Sequence, residues 1–416
     1  MLVHWIWLAT RLGLREQDKV AVLEHFADPE SAYYAREAGY RGVEGLSKGA
    51  VQALKDKDLS EAEEILRRCT EKQIHICTYH DGTYPARLKN IPDPPLVLYC
   101  KGVLPDLNGL PVIAVVGTRK YSAYGISAAK RMGYQIACCG GVVVSGAAKG
   151  IDSAAMTGAL TAGGTVIGVL GCGVDVVYPA SSRSLYLETQ QHGCLVSEFP
   201  PGTAPLKWNF PKRNRIISGL SCGVLVVEAP ETSGALITAR RAAEQGRDVF
   251  VVPGNIDMPS FAGSNALLRD GAIMAGCGWD VVGEYQALYP DKVHKSAAPY
   301  RETAAFPYNE EQSALKVAQN PASPAKTEIF DRKKEKITID KKPSCAYSDV
   351  VSGYEPATPE EKLLLDRLGG TAWIVDELIA ETGLPAGKVL SMLTLLEIKG
   401  VVVRLPGRQV KRKNKP

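Results

Sequence analysis

Histidine is scarce in this chain. Among 416 residues there are six, and none stands in a glycine-rich loop, so ordinary acid–base catalysis has few candidates. No G-x-x-x-x-G-K-S/T run occurs, which argues against a P-loop ATPase or helicase. No G-x-G-x-x-G follows the first strand of the central region, which weakens a dinucleotide reading. A G-x-S-x-G elbow and an H-E-x-x-H helix are also missing. The ten cysteines are scattered and form no C-x-x-C pair. Cys138 and Cys139 are adjacent, a poor arrangement for a disulfide. Neither a zinc site nor an oxidising compartment is expected.

Long apolar runs are lacking too, and none could span a membrane. The apolar start, Met1 to Leu8, has no basic leader and soon reaches Arg11, so it reads as a helix of a folded domain. A cytoplasmic location follows as the expectation. The formal net charge is only +4. That neither demands nor excludes nucleic acid, and any basic surface must be local.

What is present is a core-forming composition, 45% hydrophobic and 23% charged, on a chain long enough for two or three domains. Residues 1–75 have apolar positions at helical spacing. A glycine-rich turn, Gly42 to Val51, suits a tight turn in a small helical domain or a DNA-backbone-binding hairpin. Residues 76–289 open with a Pro- and Tyr-rich extension holding one strand candidate, Leu96 to Tyr99. Strands then alternate with helices: Val112–Val116, Val142–Ser145, Thr165–Leu170, Cys194–Ser197, Val224–Glu228 and Asp248–Val252. That alternation predicts an α/β fold with a Rossmann-like, mostly parallel sheet covered on both faces. Residues 290–355, rich in Lys, Pro, Ala and Ser, read as a flexible linker. Residues 356–410 read as three helices and a hairpin, a winged-helix-like domain, and 411–416 as a basic tail.

Ligands of such sheets sit beyond the carboxyl ends of the strands. The first strand runs into Gly117, Thr118, Arg119, Ser122 and Gly125. Glycines admit a close ligand, the helix start offers N–H groups to an anion, and Arg119 supplies a planar fork for phosphate. The second strand runs into Ser145, Gly146, Lys149 and Gly150, and the fifth into Ser233 and Gly234. Between the fourth and fifth strands, Lys207, Arg213 and Arg215 surround Trp208 and Phe210, with Asn214 between the arginines. Cations tracking phosphates beside rings that stack on bases is the composition of a single-strand site. The competing reading makes Trp208 and Phe210 core and Arg215 half of a structural ion pair.

Together these loops resemble the DNA-processing protein A family (DprA or Smf). The matching stretches are GTRKYSAYG at 117–125, SGAAKGIDSAAMTGAL at 145–160, FPKRNRIISGL at 210–220, SGALITARRAAEQGRDVFVVPG at 233–254 and NALLRDGA at 265–272. The resemblance implies a non-enzymatic recombination mediator that binds single-stranded DNA. It would help load the RecA recombinase in natural transformation and self-associate as a homodimer, with no catalytic residue and no cofactor. It also implies a basic pocket built from Arg119, Lys207, Phe210, Arg213, Asn214 and Arg215. Three positions depart from the family pattern: Thr118 where Ser is common, Lys149 where Arg is usual, and Met156 where His is usual.

Two other readings compete. One is a nucleotide-binding hydrolase similar to the lysine-decarboxylase-like phosphoribohydrolases. Their P-G-G-x-G-T-x-x-E run is missing, and Glu231 to Gly234 is a loose echo. The other is an interaction scaffold acting through the winged helix. Its candidate recognition helix, Leu384 to Leu396, carries only Lys388 as a charge and follows Asp376, Glu377 and Glu381. That is a poor phosphate-binding face and favours a protein contact or a weak accessory DNA contact.

Without a Walker A loop, purified protein should not hydrolyse ATP. Steady-state phosphate release checks this, and turnover abolished by Arg119→Ala would contradict it.

Overall fold

The computed structural model describes residues 1–296, 300, 358–368, 373–385, 388–389, 392–393, 396, 401–405 and 409–412. They fall into two compact units, one within residues 1–308 and one within 309–416. The expected linker lies mostly outside the described residues, as does the basic tail beyond residue 412. The candidate recognition helix is only partly inside them.

The first unit opens with helices α1 (Leu2–Thr10), α2 (Glu16–Phe26), α3 (Pro29–Tyr34), α4 (Glu37–Arg41), α5 (Lys48–Leu54) and α6 (Ser60–Glu71). The glycine-rich turn joins α4 to α5, where the Ser47 side chain accepts the Ala50 N–H and caps α5. A sheet region follows: β1 (His75–Thr78), α7 (Ala86–Lys89), β2 (Val97–Gly102), β3 (Val112–Val116), α8 (Ala123–Cys138), β4 (Val142–Ser145), α9 (Ile151–Thr161), β5 (Val166–Val169), α10 (Arg183–His192), β6 (Gly193–Ser197), α11 (Asn209–Leu220), β7 (Gly223–Val226), α12 (Gly234–Glu244), β8 (Asp248–Val251), α13 (Ala262–Arg269), β9 (Ile273–Met274) and α14 (Trp279–Val282).

These strands make one sheet in the order β1-β2-β6-β5-β4-β3-β7-β8-β9. From β6 to β9 in that order the pairing is parallel, with Ala114 opposite Val144 on one side and Val224 on the other. β1 and β2 add an antiparallel margin beside β6. The fold is thus the expected mostly parallel, Rossmann-like sheet. The central strands are almost wholly apolar because both faces are covered. Alternation divides them between two cores. Ile113, Val115 and Val143 join the layer that also holds the N-terminal helices. Val112, Ala114, Val116, Val142 and Val144 join the layer over α11 and α12. Met156 is fully buried in the first layer, where a histidine would need a polar partner.

The second unit contains α15 (Pro359–Leu368), β10 (Trp373–Ile374), α16 (Val375–Thr382), β11 (Val402–Leu405) and β12 (Gln409–Arg412), with sheet order β10-β12-β11. Leu364, Leu368, Leu378, Val389, Leu393, Leu396 and Val410 form its core. This is a winged-helix arrangement, with β11 and β12 as the wing.

Helices α8 and α9 cross at unusually close range. A Cβ on Gly133 would lie 2.0 Å from the Ala155 carbonyl oxygen, so no larger residue fits without backbone movement. Gly133→Val should therefore destabilise the first unit by about 1–3 kcal/mol or more, read by denaturant unfolding.

Candidate nucleic-acid interface

Strand order reverses at β3, whose neighbours β4 and β7 are reached by chain running in opposite directions. Sheets of this kind open a crevice at that point, outside the carboxyl ends of the strands. Here a side chain fills it. Glu228, just beyond β7, is fully buried. Its two carboxylate oxygens accept the Ser122 N–H at 3.1 and 3.0 Å, and one accepts the Ser122 Oγ–H at 3.1 Å. The Glu228 carbonyl also accepts the Thr118 N–H at 2.8 Å. Ser122 Oγ in turn caps α8 by accepting the Gly125 N–H at 3.0 Å. A Cβ on Gly125 would stand 1.8 Å from Glu228 Oε2. The sequence led one to expect an outside anion at the start of α8, and the Glu228 carboxylate occupies that position. Ser122 and Gly125 hold an internal carboxylate instead.

That anchor shapes the first loop. Thr118 is buried, and its Oγ1 bonds the Lys120 backbone at 3.1 and 3.2 Å. The turn leaves Arg119 and Lys120 exposed. The second loop is braced against the first. Gly150 has φ +102°, the left-handed region that favours glycine, and a Cβ there would meet the Thr118 carbonyl oxygen at 2.6 Å. Asp152, buried in the first turn of α9, accepts backbone hydrogen bonds from Gly117 and Ala148. Burial pushes its carboxyl up, against the pull of Arg213. Ser145 is fully buried, donating to the Val115 carbonyl at 2.6 Å. Its neighbour Gly146 is also buried, whereas Lys149 is exposed.

The third wall is the start of α11. Lys207 and Trp208 are exposed, Trp208 at 70%. The Phe210 ring is half-buried, and the Arg119 guanidinium carbon lies over it at 5.0 Å from the ring centroid. A cation–π contact therefore joins residues far apart in sequence. Asn214 ties α11 to the fifth loop: its Nδ2 donates to the Gly234 carbonyl at 3.3 Å. Ser233 caps α12 through Ala235 N–H at 3.2 Å, and Gly234 is exposed beside it.

Two of the expected site residues go elsewhere. Arg213 and Arg215 are each only 3% exposed. Arg213 Nη1 donates to the carbonyls of Gly146, at 2.9 Å, and Val169. It holds loop ends together from beneath the surface. Arg215 turns away from the edge, 2.5 Å from Glu198 and 3.2 Å from Asp93. Around it Lys212 lies 3.5 Å from Glu198 and 2.9 Å from Glu16 of α2. In this arrangement neither arginine can neutralise a surface phosphate. Arg215 is thus half of an internal ion pair, as the competing reading of the sequence had it.

The exposed cations at the edge are Arg119, Lys120, Lys149 and Lys207, and none has an ion-pair partner among the described residues. Exposed rings accompany them: Tyr121 at 43%, Tyr124 at 46% and Tyr178 at 41%. Lys120, Tyr178, Asp152 and Glu228 had no assigned role in the sequence reading. A clue to Glu228 was a carboxylate placed directly after an all-apolar strand. Among the described residues no cluster of three or more His, Cys, Asp or Glu side chains could hold a metal. The edge thus offers unpaired cations and ring faces on a rigid rim.

A family profile described as DNA recombination-mediator protein A matches residues 75–286, and one described as the DprA winged helix domain matches residues 352–408. Protein Smf of Synechocystis is 31% identical over 394 residues, covering 94% of this chain and 93% of its own length. DNA processing protein DprA of Bacillus subtilis is 43% identical over 208 residues, covering 50% of this chain and 70% of its own. The X-ray structure of DNA processing protein A from Streptococcus pneumoniae superposes with a TM-score of 0.61 at 35% identity, over 68% of this chain and 98% of that one.

The division between inner and outer arginines has a measurable consequence. Arg215→Ala breaks a buried ion pair and should lower stability by about 3–5 kcal/mol, and Arg213→Ala leaves the buried Gly146 and Val169 carbonyls without their donor and should cost about 1–3 kcal/mol for each. Arg119→Ala should leave stability within roughly 0.5 kcal/mol of wild type. Denaturant unfolding of the three variants checks both statements.

Proposed function

The chain belongs to the DNA recombination-mediator protein A family, and on that premise we propose that it binds single-stranded DNA along the carboxyl edge of its sheet. In this reading it is a cytoplasmic recombination mediator that helps load RecA onto incoming DNA in natural transformation, working as a homodimer. The observation that carries the DNA reading is Arg119 resting on Phe210 at a rim whose other exposed cations are unpaired. A guanidinium held over a ring exchanges that contact for a phosphate at small cost and frees the ring face for a base. Lys120, Lys149 and Lys207 then follow the phosphates, while Trp208 adds a second aromatic surface. Arg213, Asn214, Gly117, Gly146, Ser233 and Gly234 shape the floor on which the strand rests. No described helix is long and apolar enough to cross a membrane.

The hydrolase alternative needs an anion at the switch-point crevice, where helix N–H groups cradle nucleotide phosphates. Glu228 already occupies that position and accepts the Ser122 N–H, so a phosphate would have to displace it. This favours a non-enzymatic binding edge. In the winged helix, Lys388 is paired with Glu360 at 2.9 Å, so the only charge on the candidate recognition helix is spoken for. A protein contact, with RecA or a second copy, suits that unit better than a phosphate contact.

The test is a titration with single-stranded and duplex oligonucleotides at several salt concentrations. Single strands should bind more tightly, because stacking needs exposed base faces. Arg119→Ala should flatten the salt dependence by about one ion's worth. Phe210→Ala should cost roughly 1–3 kcal/mol with nearly the same salt slope. Because the two side chains touch, the double variant should lose less than the sum of the single losses. Equal affinity for a matched duplex, or an Arg119→Ala variant with unchanged affinity and slope, contradicts the assignment.

A further inference from the structure

Between β5 and α10 the chain folds back across the same edge, and the segment is braced on several sides. The Gly173 N–H donates to the Thr203 carbonyl at 3.0 Å, and the Val176 N–H to the Gly173 carbonyl at 2.9 Å. Asp175 accepts the Gly202 N–H at 2.8 Å and pairs with Lys72, just past the end of α6, at 2.5 Å. Tyr186, a buried residue of α10, donates its hydroxyl to the Tyr178 carbonyl at 3.0 Å. With its backbone fixed in this way, Tyr178 still keeps 41% of its surface exposed. Its hydroxyl makes no hydrogen bond among the described residues. Part of its ring and its hydroxyl therefore face solvent at the edge while its backbone is held.

The Tyr178 ring instead stands beside Phe210, with centroids 5.7 Å apart and planes inclined by 37°. Phe210 is supported from below by Gly171, where a Cβ would come within 2.8 Å of the ring. Arg119, Phe210 and Tyr178 therefore form a contiguous row of a cation and two rings on one rigid rim. We propose that Tyr178 is a second stacking platform, taking a base adjacent to the one on Phe210. The inference rests on the single-strand reading of this edge and extends it by one nucleotide subsite. Stacking on a ring face tolerates any base, so this subsite should bind without sequence preference.

The experiment compares wild type, Tyr178→Ala, Tyr178→Phe and Tyr178→Trp in binding to an oligo-dT strand and to an abasic strand of equal length. Phe210→Ala and Arg119→Ala serve as references. Tyr178→Ala should bind oligo-dT roughly fivefold to a hundredfold more weakly with an unchanged salt slope. Tyr178→Phe and Tyr178→Trp should bind like wild type, and the abasic strand should not distinguish Tyr178→Ala from wild type. Thermal melting of each variant accompanies the titration. If Tyr178→Ala melts early, comparison of Tyr178→Leu with Tyr178→Phe, both apolar replacements, isolates the ring. Wild-type affinity of the alanine or leucine variant, while Phe210→Ala and Arg119→Ala bind weakly, overturns the Tyr178 assignment alone. Wild-type affinity in all of these variants removes the edge itself and this subsite with it. Loss in Tyr178→Phe equal to that in Tyr178→Ala assigns the effect to the hydroxyl and overturns stacking.

Discussion

The buried carboxylate of Glu228 beneath the start of α8 is the contact on which the rest of the edge depends. An open parallel sheet presents free helix N–H groups where its strand order reverses, and an external anion is the usual way to satisfy them. Here an internal carboxylate takes that place: Glu228 accepts the Ser122 N–H, and Ser122 Oγ accepts the Gly125 N–H. Two consequences follow from one interaction. The crevice is closed to a nucleotide phosphate, and the loop from Thr118 to Ser122 is fixed with Arg119 directed outward. The proposed binding surface therefore lies off the crevice, on the rim formed by the loops after β3, β4 and β5 and the start of α11.

The same economy governs the cations. Arg213 is spent on main-chain carbonyls of the second and third loop ends, and Arg215 on carboxylates at the junction with α2. A guanidinium suits that inward work because its planar fork reaches several acceptors at once. The lysines that remain outside carry one mobile charge each on a flexible stem. A rim held rigid from below and lined above with Lys120, Lys149 and Lys207 can follow a strand without reading its bases. That division also explains why the modest net charge was uninformative: the relevant charge is local.

How much of this was legible in the sequence depended on how strongly each feature was constrained. β3 and β4 were read to the residue, because strands buried on both faces appear as uninterrupted apolar runs. β9, of two residues, is too short to show a period, and β1 opens on an exposed histidine and ends on a threonine, so no apolar run marks it. The convergence of Arg119 with Phe210 followed from topology, since loops at one end of parallel strands share an edge. Which way a helical arginine points did not follow. Arg213 and Arg215 flank Asn214 in a cation-rich run, and only packing sends both inward. Glu228 was marked only by its place after an apolar run, since its partner Ser122 is distant in sequence, and Asp152 bonds backbone groups that no local pattern announces. Tyr178 lies far in sequence from the cation-rich segment, and nothing local marks it as a neighbour of Phe210.

Hydrogen–deuterium exchange of the protein with and without a saturating oligo-dT strand tests the central claim most directly, because it locates the strand without any substitution. Protection is expected in peptides covering 117–122, 147–151, 171–179 and 206–211, with little change in α2 to α5. Protection confined to the N-terminal helices or to residues 358–412, with those loops unchanged, would contradict the account.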